Sequence, residues 1–195
     1  MDPINLLVLL NLIATFGANV SGAKKEFKNK VTNTGKKPET YLQKLPLNIS
    51  ALIIVLSLLG IFNIFNLTDS LKSELQNYRL IGLLLYIAFS WLQIHCFKYL
   101  GKSYSQEILI YKDHKLVTTG IYKFIRHPQY LSQILSDLGI ALALLNFVIA
   151  PLVVLIEIPL LILRAKEEEK LFSDFFREKF SEYKKHSGFI IPFIG

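Results

Sequence analysis

The chain is short of the side chains on which most soluble enzymes rely. It has one cysteine, Cys96, set in an apolar run. No internal disulfide is possible, and a buried structural thiol is expected. Its four histidines (His95, His114, His127, His186) form no His-Glu-x-x-His repeat and join no cysteine at zinc-ligand spacing. No Gly-x-Gly-x-x-Gly occurs, which argues against a Rossmann-type cofactor cleft. Charge is also scarce, at 19% of residues, against about 25% in ordinary soluble domains.

Apolar residues are abundant instead, 52% of the 195, and they arrive in blocks. The first runs from Pro3 to Val20. Met1-Asp2-Pro3 carries no positive charge where a secretory signal needs one, so a retained helix is expected, despite the small residues from Gly17 to Ala23. The second, Pro46 to Leu67, is 22 residues without a charge, about 33 Å as a helix and enough to span a bilayer. The third, Tyr78 to Phe97, is interrupted by Arg79 and His95, with Trp91 and His95 read as packing and interface residues. Two shorter runs follow, Tyr130 to Leu145 and Phe147 to Leu163, around Asn146 and Pro151, where a tight hairpin would turn. Each is about 24–26 Å long, which fits a pair crossing with little tilt or with local thinning.

The fold class expected is therefore all-α: an integral membrane bundle of about five transmembrane helices with a cytoplasmic C-terminal helical segment. It forms one domain over 1–195, with three spans in 1–97 and a catalytic region in 98–195. Orientation follows from Lys and Arg in the connections. Segments 22–45, 98–128 and 164–195 carry 7, 6 and 7; segments 68–77 and the Asn146 turn carry 1 and 0. This places the N-terminus outside and the C-terminus inside. Gly35 and Pro38 argue against a continuous helix through the first connection. The net charge of +7 lies in loops between apolar runs, so it suits anionic headgroups and topology rather than nucleic acid. No obligate protein partner is implied. In the tail, Phe172, Phe176, Phe180 and Tyr183 recur at helical spacing. An amphipathic helix at the headgroups and a helix packed on the protein's own loops fit equally well.

Two polar constellations fall on the inner side. The first is His114 to Tyr122, followed by Arg126-His127-Pro128-Gln129-Tyr130. Pro128 suits the first turn of a helix, where its missing N–H costs nothing. Arg126 and His127 then sit at the helix mouth and Tyr130 one turn in. An interfacial Arg/His/Tyr belt explains this stretch as well as a site does. The second is Arg164 to Glu169. Arg164 and Glu168, four apart, share a helical face, although a solvated helix end is the simpler reading. Asp137 and Glu157 are intramembrane acids that would face a partner or a cavity.

Taken in order, His-x-Leu-Val (His114, Lys115, Leu116, Val117), Gly-x-Tyr (Gly120 to Tyr122), Arg-His-Pro-x-Tyr (Arg126 to Tyr130), Arg164 with its glutamate run, and the ending Glu182 to Lys185 and Ile191 to Phe193 resemble the isoprenylcysteine carboxyl methyltransferase family over about residues 98 to 195. The resemblance implies an integral membrane enzyme using S-adenosylmethionine. Its cofactor would lie against His114, Lys115, Leu116, Val117, Tyr122, His127, Pro128, Gln129, Tyr130 and Glu168, with Arg164 holding the substrate. Two positions depart from the pattern. Lys166 stands where the family has the first acid of the run, and the polar contact upstream of the histidine has only Glu107 as a candidate. Carboxyl methylation of a prenylated cysteine or similar lipid-tailed acid is the activity implied. A related phospholipid N-methyltransferase, an NADPH-dependent sterol-type reductase and a non-enzymatic membrane scaffold are the competing readings.

Overall fold

A computed structural model describes residues 2–33 and 37–195, the side chains of 19–33 excepted. Gly35 and Lys36, and the side chains of Lys24, Lys25, Lys28 and Lys30, lie outside the described residues. The described residues form helices joined by turns, with only isolated β-bridges. In chain order the helices are α1 (Pro3–Asn33), α2 (Leu45–Ile61), α3 (Asp69–Glu74), α4 (Gln76–Leu100), α5 (Pro128–Leu144), α6 (Ile149–Leu152), α7 (Ile158–Phe176) and α8 (Glu178–His186). A π turn, Val153–Glu157, joins α6 to α7. Pro159, with no N–H to return to the preceding turn, accounts for that interruption.

Several boundaries differ from those expected. The first helix does not stop near Val20 but continues to Asn33, so the lysine-rich stretch after residue 22 is helical over much of its length. The second apolar run does not stay helical to Leu67; α2 ends at Ile61. Asn63 and Phe65 take left-handed backbone angles, and the Asn66 amide closes on the Gly60 carbonyl at 2.6 Å. The chain then turns back and ties to the tip of the hairpin. Leu67 N–H donates to Leu145 O (3.0 Å), Phe147 N–H to Phe65 O (3.1 Å), and the Asn146 amide to Asn66 Oδ1 (3.1 Å). Asn146 Oδ1 also caps the next helix by accepting from Val148 and Ile149 N–H.

By length and composition, two helical segments are able to cross a membrane, Tyr41–Ile61 and Gln76–Ser103, and Pro3–Ala18 is a shorter apolar helix. At 17 residues α5 is only about 25 Å long. Large apolar side chains face outward around the bundle, among them Leu155, Leu84 and Phe16, as a lipid-facing surface requires.

Helix α5 is central. One face packs Tyr130, Ile134 and Ala141 against Ile53 and Leu56 of α2 and against Val153, Leu161 and Ala165. Its other face packs Ile140, Ala143 and Leu144 against Ile4 and Val8 of α1 and Leu83 and Tyr86 of α4. In lipid the hydrophobic effect gives helices little reason to pair, and small residues that admit close backbone approach do more. Gly82 on α4 and Gly139 on α5 fill that role. A Cβ on Gly82 would lie 2.5 Å from Ala143 N, and one on Gly139 would lie 2.5 Å from Tyr86 N. A buried polar staple holds the same end. Arg79 gives both Nη groups to Asp2 at 2.8 and 2.9 Å and its Nε to Ala143 O at 3.0 Å.

We expect Gly82→Ala and Gly139→Ala each to destabilise the protein by about 1–3 kcal/mol through overpacking. Gly17, where an added methyl group would meet nothing within 4 Å, serves as the control, and Gly17→Ala should leave stability level or raised. Thermal unfolding in detergent reads both, and equal melting temperatures for all three would remove the close helix approach from the account.

Candidate active site

Pro128 opens α5 as expected, and His127 is the residue before it. The loop ahead is fixed by backbone bonds to the C-terminal segment. Arg126 N–H donates to Gly188 O (2.8 Å), His127 N–H to Phe189 O (3.1 Å), and Gly188 N–H to Phe124 O (2.9 Å). The mouth of α5 is thereby held against the end of α7, where the second constellation lies.

The two constellations meet. Tyr130 donates its hydroxyl to Glu168 Oε1 at 2.5 Å and accepts from Arg164 Nε at 2.8 Å. Arg164 Nε is also 3.4 Å from Glu168 Oε1. The His127 ring lies flat on Tyr130, centroids 5.5 Å apart and planes 7° from parallel. Its Nδ1 is 3.6 Å from Glu168 Oε2 and its Nε2 3.5 Å from Glu169 Oε1. One imidazole therefore stands between two carboxylates.

Glu169 is the residue that sequence reasoning missed, along with the task of Arg126. Arg126 is not part of an interfacial belt; it is buried. Its Nε meets Glu169 Oε1 at 2.5 Å, and Lys184 Nζ meets the other oxygen at 2.8 Å. The rest of the guanidinium holds the Ser187 carbonyl and, at 3.2 Å, Gly195 O. Burial alone would raise the Glu169 carboxyl, but His127, Lys184 and Arg126 beside it outweigh that and hold it down at about 2. The available signal was adjacency: Arg126 precedes His127, and Glu169 follows Glu168.

Arg164 is placed differently from a side chain waiting for an anion. It is 3% exposed, and besides Tyr130 its fork grips the Leu42 carbonyl at 3.0 Å and the Gln106 carbonyl. Three of its five N–H groups are so used. It ties α7 to the segments on either side, and two of its N–H groups remain.

His114 rests in an aromatic nest. It stacks on Tyr111 (6.1 Å, 17°) and touches Phe172 and Phe176 at 5.6 and 5.9 Å. Burial lowers it to about 4, so the ring is neutral at physiological pH, and its buried Nδ1 has no hydrogen-bond partner. The phenylalanine-rich end of α7 thus packs on the protein's own loop. The rod also breaks at Arg177, whose φ is positive, before α8 begins. Tyr122 is buried, with its hydroxyl on Cys96 O at 3.3 Å, and burial raises it further from ionisation.

All eleven residues singled out from the sequence line one cavity of about 410 Å³: His114, Lys115, Leu116, Val117, Tyr122, His127, Pro128, Gln129, Tyr130, Arg164 and Glu168. Glu107 lines it as well, paired with Lys37 at 2.6 Å. Asp137 lines its deeper part, and Gln133 bridges to Glu157 at 2.7 Å.

The depressed Glu169 carboxyl makes stability depend on acid. Its contribution is complete above the ordinary value of 4.5 and is lost as pH falls toward about 2. We expect melting temperature to fall over that window and Glu169→Gln to flatten this part of the profile. An unaltered profile in the variant would show that the carboxylate carries no net stabilisation. Arg126→Met should cost about 3–5 kcal/mol, since it strands a buried charge.

The chain resembles known proteins in sequence and in fold. Residues 80–174 match the model of the isoprenylcysteine carboxyl methyltransferase (ICMT) family. Protein-S-isoprenylcysteine O-methyltransferase of Saccharomyces cerevisiae is 36% identical over 96 residues, 48% of this chain and 40% of the relative. The Homo sapiens protein of the same name is 35% identical over 81 residues, 42% of this chain and 28% of the relative. The matched segment thus spans less than half the length of these relatives. A solved structure of the eukaryotic intramembrane Ras methyltransferase ICMT superposes over 100% of this chain and 69% of its own, with a TM-score of 0.67 at 20% identity, which is a likeness of fold. The family resemblance therefore holds over residues 80–174, the segment that supplies most of α4, all of α5 and most of α7, and there this chain is similar to the isoprenylcysteine carboxyl methyltransferases.

Proposed function

We propose that the chain is an integral membrane methyltransferase that moves a methyl group from S-adenosylmethionine to the carboxylate of a prenylated cysteine or a similar lipid-tailed acid. In this reading the bundle crosses the membrane five times, with the N-terminus outside and the C-terminus and site cytoplasmic. The observation that carries it is the single cavity on which all the family-matched residues converge.

The residues present fit the cofactor. Glu168 offers a carboxylate, Tyr130 and His127 offer stacked ring faces, and His114 offers an orphaned buried nitrogen. Carboxylates and aromatic faces hold a cation by hydrogen bonding and cation–π attraction, and a cavity of about 410 Å³ lies in the usual range for small-molecule sites of about 300–1,000 Å³. When bound, S-adenosylmethionine supplies a methyl group that passes from sulfur to the attacking oxygen. An acceptor carboxylate, with a pKa of about 3.5, is already ionised and needs no general base. It needs a cation and a fixed approach, and Arg164 supplies both through the part of its fork that the protein leaves open. Tyr130 keeps Arg164 and Glu168 in register, so the anion-holding and cation-holding groups are set by one hydroxyl.

The cavity also has an apolar side. Its wall includes Phe16, Leu47 and Ile54, each of which is also exposed on the outer surface. A lipid-tailed acceptor would enter sideways between α1 and α2, while the cofactor would enter from the basic mouth around Lys115.

We expect S-adenosylhomocysteine to raise the melting temperature of the detergent-purified protein. Glu168→Ala should weaken that ligand roughly 10–100-fold, the loss of one charge-assisted contact. Glu167→Ala, where Glu167 pairs with Lys170 instead, should leave it unchanged. With radiolabelled cofactor and a prenylcysteine, the label should be base-labile, as an ester is. Base-stable label on lipid amines would replace the carboxyl reading with N-methylation, and no stabilisation by S-adenosylhomocysteine would end the methyltransferase reading.

A further inference from the structure

Beyond the family-matched residues the cavity continues between α1, α4 and α5, and this inner arm is polar. Tyr86, Ser90, Gln133, Ser136 and Asp137 face it. Asp137 lies seven residues after Tyr130 on α5, hence about 10 Å further along the helix axis. Glu157, 1% exposed, is the acidic neighbour of Asp137. Gln133 donates to one Glu157 oxygen at 2.7 Å, and the other, Oε2, has no donor.

The Gln133 amide also gives to Ser50 Oγ at 2.6 Å, and its oxygen takes the Gln93 amide at 3.3 Å. Across the arm, Tyr86 is 4% exposed and its hydroxyl has no hydrogen-bond partner. Its polar neighbours Thr15 and Asn11 also hold other partners. The Thr15 hydroxyl donates to Asn11 O at 2.9 Å, and the Asn11 amide serves Ser90 and Trp91. Buried polar groups without partners are costly, and acids at bilayer depth pair or mark the path of a polar ligand. A plain hydrocarbon tail in this arm would leave the Asp137 carboxyl and the Tyr86 hydroxyl dry.

We infer that the inner arm is a subsite for a hydroxyl or ammonium group carried on the acceptor's lipid chain, held by Asp137 and Tyr86, with Glu157 behind Asp137. The reacting carboxylate lies at Arg164 in this arrangement, so the inference rests on the carboxyl-methyltransferase reading. The acceptor is then an acid whose apolar chain is interrupted by one hydrogen-bond donor about 10 Å from the carboxylate, the two-turn spacing of Tyr130 and Asp137. The arm is a specificity element, and hydrophobic length alone does not select the substrate.

The test compares N-acetyl-S-farnesylcysteine with analogues bearing a hydroxyl or an ammonium at that distance on the chain. Binding to the full-length protein in detergent is measured by calorimetry. Wild type should bind at least one polar-chain analogue about tenfold more tightly than the plain acid, the worth of one charge-assisted hydrogen bond. Asp137→Leu should abolish or reverse that preference, and Tyr86→Phe, which removes one oxygen and no bulk, should reduce it. The hydroxyl and ammonium arms show which donor the site takes. Equal binding of all three acids by wild type, or a preference that survives both variants, overturns the subsite. Base-labile product is read in the same samples. Ester without the preference discards the subsite and keeps the transferase reading; the preference without ester keeps the subsite and discards that reading.

Discussion

The site depends on one knot of charge between the start of α5 and the inner end of α7. Arg126, His127 and Tyr130 come from one side and Arg164, Glu168 and Glu169 from the other; Glu168 has donors from both, and Glu169 from Arg126 and from Lys184 of α8. Burying such groups singly is prohibitive, since desolvation exceeds what one ion pair returns. Burying them together works because nearly every donor has an acceptor. Two adjacent glutamates divide the labour. Glu169 is saturated by Arg126 and Lys184 and fixes the loop; Glu168 keeps 18% of its side chain exposed and faces the cavity. Adjacent helix positions point about 100° apart, so only one of them can face inward while the other braces the C-terminal segment.

That bracing needs a rigid scaffold behind it, and the bundle supplies it at the opposite end. Asn146, Asn66 and the backbone of Leu67 and Phe147 zip the hairpin tip to the turn after α2. Arg79 and Asp2 pin α1 to α4. Between these ends the contact of α4 with α5 depends on the missing side chains of Gly82 and Gly139. Helix α5 is therefore fixed along its length, and the residues of its first turn inherit a fixed position. The cavity can then be open without being soft.

Much of this was legible in the sequence, and the remainder was not for identifiable reasons. Pro128 at a helix start, the Asn146 turn and the shared face of Arg164 and Glu168 are local facts, set by backbone chemistry and helical period. The end of α2 was not visible because Phe62, Ile64 and Leu67 keep the run apolar while Asn63 and Phe65 bend it. The continuation of α1 through lysines was hidden for the opposite reason: charge ends an apolar run without ending a helix. The buried role of Arg126 has no local signature at all. An arginine at a helix mouth looks the same whether it meets headgroups or Glu169, and only the partner 43 residues away decides. The inward packing of Phe172 and Phe176 on His114 is a tertiary choice between two surfaces that one amphipathic pattern serves equally.

The polarity of the cavity constrains how the two substrates of a transfer reaction would share it. Its mouth is charged and bordered by Lys115, its side wall is lipid-facing at Phe16 and Ile54, and its depth is acidic at Asp137. A soluble cation with a polar body gains nothing from the side wall, and a lipid acid gains nothing from crossing the mouth. In the proposed reading the two would approach on separate routes that converge at Tyr130, whose hydroxyl joins Arg164 to Glu168. Order at that point is imposed by the protein before either ligand arrives, which is the form of positioning that lowers the barrier of a bimolecular reaction.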